Sequence, residues 1–309
     1  MADNPPTSIL LPTVVWNPVI RELADQLGSN DELLVICDSQ DDPVAKRTEE
    51  FPDGVRLIVA GEPEGCSGKA NAIVAGMEAA RHDRLVWTDD DFLHPASWLA
   101  DLHGAYDRHG PSSELPFFIG QNPLAALLEP IFVYTGVATV YLSDIVWAGS
   151  VIFERDDLSV DEDEFRKKLS DTVSDDGLLS EYLDVTSLRR SRLVETSGGI
   201  RATLERHVRL TKIFRYHAPR TFVVVNVVWT LIAAVCILYP LWSLVALTAL
   251  TACTYAIFGI RRWTALLAYP AFLMYVPLSM YALLRRTFVW SGRRYRWKAK
   301  FDVSITSEE

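Results

Sequence analysis

Cysteine is scarce in this 309-residue chain. The four present, Cys37, Cys66, Cys236 and Cys253, show neither a Cys-x-x-Cys nor any other metal-ligand spacing, which excludes a disulfide framework and a thiolate zinc site. They read as small hydrophobes in a reducing compartment. Basic residues are scarce in the first 200 positions, where 15 Lys+Arg face 36 Asp+Glu, so no basic footprint for nucleic-acid phosphates exists there. The opening stretch MADNPPTSILLP is acidic and has no long apolar core. A secretory signal is therefore not expected, and the acidic part is expected in the cytoplasm. There is no internal repeat and no low-complexity segment. The most telling absence lies further on. Thr221–Ile260 contains no charged side chain over 40 residues, and Trp263–Leu284 contains none over another 22. About 20 apolar residues cross a bilayer, so the first run is long enough for two crossings.

The charge balance reverses at the second part. Residues 201–309 carry 15 Lys+Arg against 4 Asp+Glu, and these positives bracket the apolar runs. That is the pattern of contact with anionic cytoplasmic lipid. The uncharged turn at Tyr239–Trp242 is expected outside, Arg261, Arg262 and the tail from Arg285 inside. Thr221–Ile260 is then a two-helix hairpin. Pro270 and Pro277 would break a straight helix, so Trp263–Leu284 is expected as a re-entrant or in-plane pair. The alternative is a third crossing with the tail outside.

Within the acidic part, short apolar runs at Ser8–Leu11, Leu33–Ile36, Val55–Val59 and Leu85–Thr88 read as strands. Helical spacing fills Asn17–Leu27, Ser67–Arg81 and Ser97–Tyr106. Alternation of this kind implies an α/β fold, a parallel sheet covered on both faces, with ligands at the carboxyl ends of the strands. Pro123–Val133 reads as helix, and Ala138–Tyr141 and Ser150–Glu154 as extended. Asp156–Lys168 reads as a solvated charged run. Over Arg201–His217, Arg206, Arg209, Lys212 and Arg215 sweep one half of a helix, and Leu204, Val208, Leu210 and Phe214 occupy much of the other. That pattern suits either a helix lying in the bilayer interface or an ordinary amphipathic surface helix.

Four polar clusters carry the chemistry. Asp89, Asp90 and Asp91 follow the strand Leu85–Thr88. Adjacent carboxylates repel, and Mg²⁺ or Mn²⁺ bridging them to a substrate phosphate removes the cost; the alternative is a solvated acidic turn. Asp38, opening Asp38–Pro43 after the second strand, is placed to accept from a base or ribose, or to form an Asx-type turn. Lys69 in Gly68–Asn71 begins a helix and can offset phosphate charge, aided by the helix dipole. Asp175 and Asp176 begin another helix, where capping alone would explain them.

In this order the clusters resemble the family 2 glycosyltransferases of GT-A fold, and among them ceramide glucosyltransferases and their prokaryotic relatives. Ile9–Thr13 is similar to the opening strand of that family, Asp38–Pro43 to its first aspartate element, and Gly68–Asn71 to its donor-phosphate segment. Asp89–Pro95 resembles the DxD motif with its following HP, and Asp175-Asp176 the ED pair. Arg206–Lys212 resembles RxxRWTK with Leu210 in place of Trp. Trp290–Arg296 resembles the WxxxRYR tail, and Trp147–Ser150 a small-residue segment bordering the acceptor.

The resemblance implies a GT-A domain over 1–200, an interfacial helix over 201–220, a membrane domain over 221–284 and a basic cytoplasmic tail over 285–309. It implies donor contacts from Pro12, Thr13, Asp38, Lys69, Asn71, Asp89, Asp90, Arg206 and Arg209. Metal contacts fall to Asp91 with Asp89, acceptor contacts to Gly149, Ser150 and Trp290, and base catalysis to Asp176 beside Asp175. The implied reaction is inverting transfer of a hexose from a UDP- or GDP-sugar to a membrane lipid. A polyprenyl or dolichyl phosphate acceptor is one alternative. A nucleotidyltransferase and an inactive nucleotide-sugar-binding scaffold are two others. Leu210 and the missing N-terminal anchor of the animal enzymes are the departures from the pattern.

Overall fold

Apolar residues alternate along three neighbouring strands and so build two cores, one on each face of a sheet. The computed structural model describes residues 4–306. In chain order the elements begin with β1 (Thr7–Pro12), α1 (Val19–Ala24), β2 (Glu32–Cys37), β3 (Val55–Val59), α2 (Gly68–Ala79), β4 (Arg84–Thr88) and α3 (Trp98–His109). Next come β5 (Ser112–Gly120), α4 (Pro123–Phe132), a π-helical turn (Val133–Ala138) and α5 (Thr139–Leu142). They continue with β6 (Ser150–Glu154), α6 (Glu162–Leu169), α7 (Asp175–Tyr182), β7 (Thr186–Thr196) and α8 (Ile200–His217). The chain then forms α9 (Pro219–Leu238), α10 (Pro240–Ile257), a 3₁₀ turn (Trp263–Leu267), α11 (Ala268–Leu284), β8 (Thr287–Trp290), β9 (Arg293–Ala299) and β10 (Asp302–Thr306).

These elements form two compact units. One comprises the residues up to Glu114, Asp144–Leu188 and Phe301–Val303; the other comprises Leu115–Ser143, Arg189–Lys300 and the residues from Ser304. The large sheet runs β3-β2-β1-β4-β6-β5-β7. Its first four strands are parallel, while β6 is antiparallel to both β4 and β5. The sheet is thus mostly parallel, as expected, with β6 the antiparallel strand in its middle. In the first unit Leu10, Leu34, Ile36, Leu85 and Trp87 face one core, with Ala70, Ile73 and Met77 of α2. Ile9, Leu11, Leu33, Val35 and Val86 face the other, with Ile20 and Leu23 of α1 and Trp98 and Leu102 of α3. Burying each such side chain stabilises by about 1.5–3 kcal/mol.

The second unit is organised by apolar helices. Among the described residues, four stretches are long and apolar enough to cross a membrane: Pro123–Leu142, Pro219–Leu238, Pro240–Ile257 and Trp263–Leu284. The first was not expected. Ala138–Tyr141, read as extended, is helical, because the π turn carries the α4 axis through the β-branched run into α5. Trp263–Leu284 is likewise one helical stretch and not a broken pair. Pro270 falls in the first turn of α11, where its missing N–H has no helical partner, and the helix continues through Pro277. Asp161 caps α6 through the Asp163 amide, so part of the expected solvated run is a helix.

Helix α8 is also put to a different use. Leu204 and Leu210 pack with Leu128 and Phe132 of α4 and Leu278 of α11, so part of this apolar surface meets protein. Glu205, buried in α8, accepts from Arg285 Nη2 at 3.0 Å and from the Val289 amide at 3.0 Å. The expected basic tail is folded as the three-stranded sheet β10-β9-β8, in which β8 and β9 are antiparallel. Its Phe288, Tyr295 and Trp297 are buried, and the Tyr216 hydroxyl donates to the Trp297 carbonyl at 3.1 Å.

Candidate active site

In the first unit, the carboxyl ends of β1 and β4 bring acids and one ammonium together. Ser67 caps α2 by accepting the Ala70 amide at 3.0 Å, which places Lys69 in the first turn. A cap of this kind contributes about 1 kcal/mol. Ser174 does the same for α7 through the Gly177 amide at 3.0 Å, placing Asp175 and Asp176 at its start. Lys69 Nζ then lies 2.6 Å from Asp89 Oδ1 and 2.9 Å from Asp175 Oδ2. Asp176 Oδ1 accepts the Ala148 amide at 2.6 Å. Asp90 is oriented differently: its Oδ2 accepts from the Thr13 hydroxyl at 2.6 Å, and its carbonyl accepts from Asn17 Nδ2 at 2.8 Å.

Gly149 completes the wall. Its carbonyl accepts from the Asp89 amide at 3.1 Å and from Thr88 Oγ1 at 3.1 Å. A Cβ there would strike the Trp147 ring and stand 2.5 Å from Asp89 Oδ2, so only glycine fits.

The electrostatics follow from crowding. Burial raises the Asp89 carboxyl, and Asp175 and Asp90 add to it, against the opposing pull of Lys69. Asp176 is pushed up to about 7, first by burial and next by Asp175, with Lys69 and the Ala148 amide opposing. Burial would lower Lys69, yet Asp175, Asp89 and Asp176 together hold it well above its ordinary value. When all three acids are ionised, one ammonium leaves two negative charges uncompensated. Hard oxygen donors with that deficit fit Mg²⁺ or Mn²⁺. Asp91 is exposed beside them. Among the described residues, no three His, Cys, Asp or Glu are already arranged around one point as a metal site.

The remaining expected residues have other surroundings. Asn71 Nδ2 donates to the Gly61 carbonyl at 2.8 Å and so ties down the loop before α2. Asp42, not Asp38, closes the turn after β2, accepting the Asp38 and Ser39 amides at 2.9 and 2.8 Å. Asp38 is nearly buried, and Pro12 ends β1 opposite Ile36. Ser150 is fully buried, accepting from Trp98 Nε1 at 3.0 Å and donating to Glu114 Oε2 at 2.8 Å. Its expected acceptor contact is corrected accordingly: the hydroxyl belongs to the sheet core. Arg206, Arg209 and Trp290 belong to the second unit, where the Arg209 guanidinium lies 3.9 Å from the centre of the Trp290 ring. Sequence reasoning missed Asn17 and the Ala148 amide. Asn17 had a visible signal, since it follows the opening strand, whereas an amide leaves no mark in composition.

The strand ends of this sheet gather carboxylates and one ammonium in the place where α/β sheets bind ligands. Residues 17–124 match the family described as Glycosyl transferase family 2, so the chain carries such a domain and is a glycosyltransferase. The match takes in Asp38, Lys69 and Asp89–Asp91 and ends before Gly149, Asp175 and Asp176. No curated protein matches the chain. Among solved structures, a mycobacterial protein is 18% identical with a TM-score of 0.41, covering 68% of this chain and 74% of its own. Glucosyl-3-phosphoglycerate synthase from Mycobacterium tuberculosis, in complex with phosphoglyceric acid, is 15% identical with a TM-score of 0.39, covering 63% and 73%. The same enzyme with Mn²⁺ and uridine-diphosphate-glucose is 14% identical with a TM-score of 0.42, covering 68% and 79%. Likenesses this distant assign no substrate.

Proposed function

We propose that the chain transfers a hexose from a nucleotide sugar to a membrane lipid, with inversion and with a divalent cation. The observation that supports this most is the Asp89–Lys69–Asp175–Asp176 cluster in a glycosyltransferase whose chain also carries long exposed apolar helices. Pro12, Thr13 and Asp38 face the nucleoside at the ends of β1 and β2, and Asp90 is held among them by Thr13. Asp91 with Asp89 would hold Mg²⁺ or Mn²⁺, which when bound neutralises charge on the leaving diphosphate. Lys69 adds a positive charge to the same phosphates on exchanging Asp89 for the donor.

Asp176 is the base. Its carboxyl, raised to about 7, is poised to take a proton from an acceptor hydroxyl near neutral pH. The Ala148 amide orients it through Oδ1 and leaves Oδ2 for the acceptor. Gly149 keeps that wall flat, so the nucleophile can approach the anomeric carbon in line and the configuration inverts. The exposed apolar surfaces of α9, α10 and α11 suit a bilayer, which would deliver a lipid acceptor. A ceramide-like hydroxyl needs the base, whereas a polyprenyl or dolichyl phosphate ionises unaided.

The test is purified protein incubated with lipid extract and a panel of UDP- and GDP-sugars, with products read by mass spectrometry. A glycolipid whose formation needs Mg²⁺ or Mn²⁺ is expected. Efficient glycosylation of only water-soluble acceptors would overturn the lipid assignment.

A further inference from the structure

We infer that Thr88 and His94 are positioning residues that set the Asp89 carboxylate, and with it the affinity for a divalent cation bound to a nucleoside diphosphate. The inference rests on the metal-dependent reading above. Thr88 is the last residue of β4 and fully buried. Its hydroxyl lies 3.1 Å from the Gly149 carbonyl and 2.7 Å from His94 Nε2. A hydroxyl has one hydrogen. If Thr88 gives it to Gly149, then His94 must carry its proton on Nε2 and donate to Thr88. The chain of donors therefore runs from His94 to Thr88 to the Gly149 carbonyl, which also accepts the Asp89 amide.

The histidine is fixed from both sides. It is 3% exposed, its ring centre stands 4.0 Å from that of Phe92, and Trp98 meets it edge-on at 4.7 Å. A fixed ring fixes Thr88, and Thr88 fixes Gly149. The Gly149 Cα, which has no room for a methyl group beside Asp89 Oδ2, then bounds where that carboxylate rests. Neither Thr88 nor His94 needs to touch the donor. Supporting residues of this kind typically alter metal affinity about 10–100-fold when removed.

The experiment compares Thr88→Val, which keeps the shape, with Thr88→Ser, which keeps the hydroxyl. In metal-free protein labelled with ¹⁵N-histidine, the His94 signal, assigned by its loss in His94→Gln, is expected to show protonated Nε2. An unprotonated Nε2 would overturn the relay, because Thr88 would then donate to His94 instead of to Gly149. Mn²⁺ binding, with UDP or GDP present, is followed by electron paramagnetic resonance. Thr88→Val is expected to weaken it roughly 10-fold, and Thr88→Ser to stay within about 2-fold of the parent. Thr88→Val binding as tightly as the parent, or Thr88→Ser binding as weakly as Thr88→Val, overturns the inference alone. A parent protein that binds no Mn²⁺ with either nucleotide overturns the metal-dependent reading and this inference with it.

Discussion

Gly149 and Asp89 are in such close register that a single methyl group would separate them. The Gly149 carbonyl accepts the Asp89 amide, and a Cβ on the same residue would stand 2.5 Å from Asp89 Oδ2. Gly149→Ala is expected to displace the carboxylate or the Trp147 ring, at a cost of about 1–3 kcal/mol. Thermal unfolding should fall modestly while Mn²⁺ affinity falls sharply. Equal losses in both would mean that the residue serves packing alone.

Asp176→Asn should lower transfer to a hydroxyl acceptor by about 10²–10⁴-fold while donor binding survives. It should also change the pH dependence of stability. A carboxyl whose folded pKa lies above its unfolded value stabilises the protein below the unfolded value. In metal-free protein this contribution is lost as pH rises from about 4 to about 7. Urea titrations across that window should show the decline in the parent and a flatter profile in the Asn variant.

Lys69→Met removes the ammonium shared by Asp89 and Asp175. Removing one partner of a buried pair typically costs about 3–5 kcal/mol. The loss should be largest at neutral pH and shrink on acidification, as the stranded Asp89 carboxyl, already raised by burial, protonates. Circular dichroism melts at pH 5 and pH 7.5 would show it, and a pH-independent loss would point to lost packing instead.

In the second unit, Arg262 clasps Glu129 through Nε–Oε2 and Nη2–Oε1, both at 2.7 Å, and Glu129 is fully buried. Glu129→Ala should therefore destabilise by about 3–5 kcal/mol, whereas replacing both partners with leucine should recover most of it. Detergent-solubilised melts of the single and double variants measure this. Additive losses would show that the two side chains act independently.

Much of this site was legible because its chemistry sits on side chains at strand and helix ends. The runs containing Leu10, Leu34, Leu57 and Val86 are strands as read, and Lys69, Asp89, Asp175 and Asp176 meet at one place. Strands β5 and β7 were not legible. β5 contains Pro116 and a fully buried Glu114, and β7 is rich in arginine, so pairing in the sheet, not alternation, decides them. The second helix-forming run failed for a related reason. Val137, Thr139 and Val140 favour strands locally, but the axis of α4 and its packing carry them into a helix. Ser150 was misread because its hydroxyl is spent on the fold itself.

The chain's comings and goings carry a counting rule. It leaves the first unit after Glu114 and re-enters at Asp144, then leaves after Leu188 and touches it again at Phe301–Val303. A polypeptide that returns to the same rigid body has traversed any intervening bilayer an even number of times. One long helix, Pro123–Leu142, lies on the first excursion, and on this rule it would make no net traverse. Three lie on the second, and an odd number cannot all pass through. For the first unit to lie wholly on one side of a bilayer, one of Pro219–Leu238, Pro240–Ile257 and Trp263–Leu284 would have to enter and exit on the same leaflet, so parity and not length would set the topology.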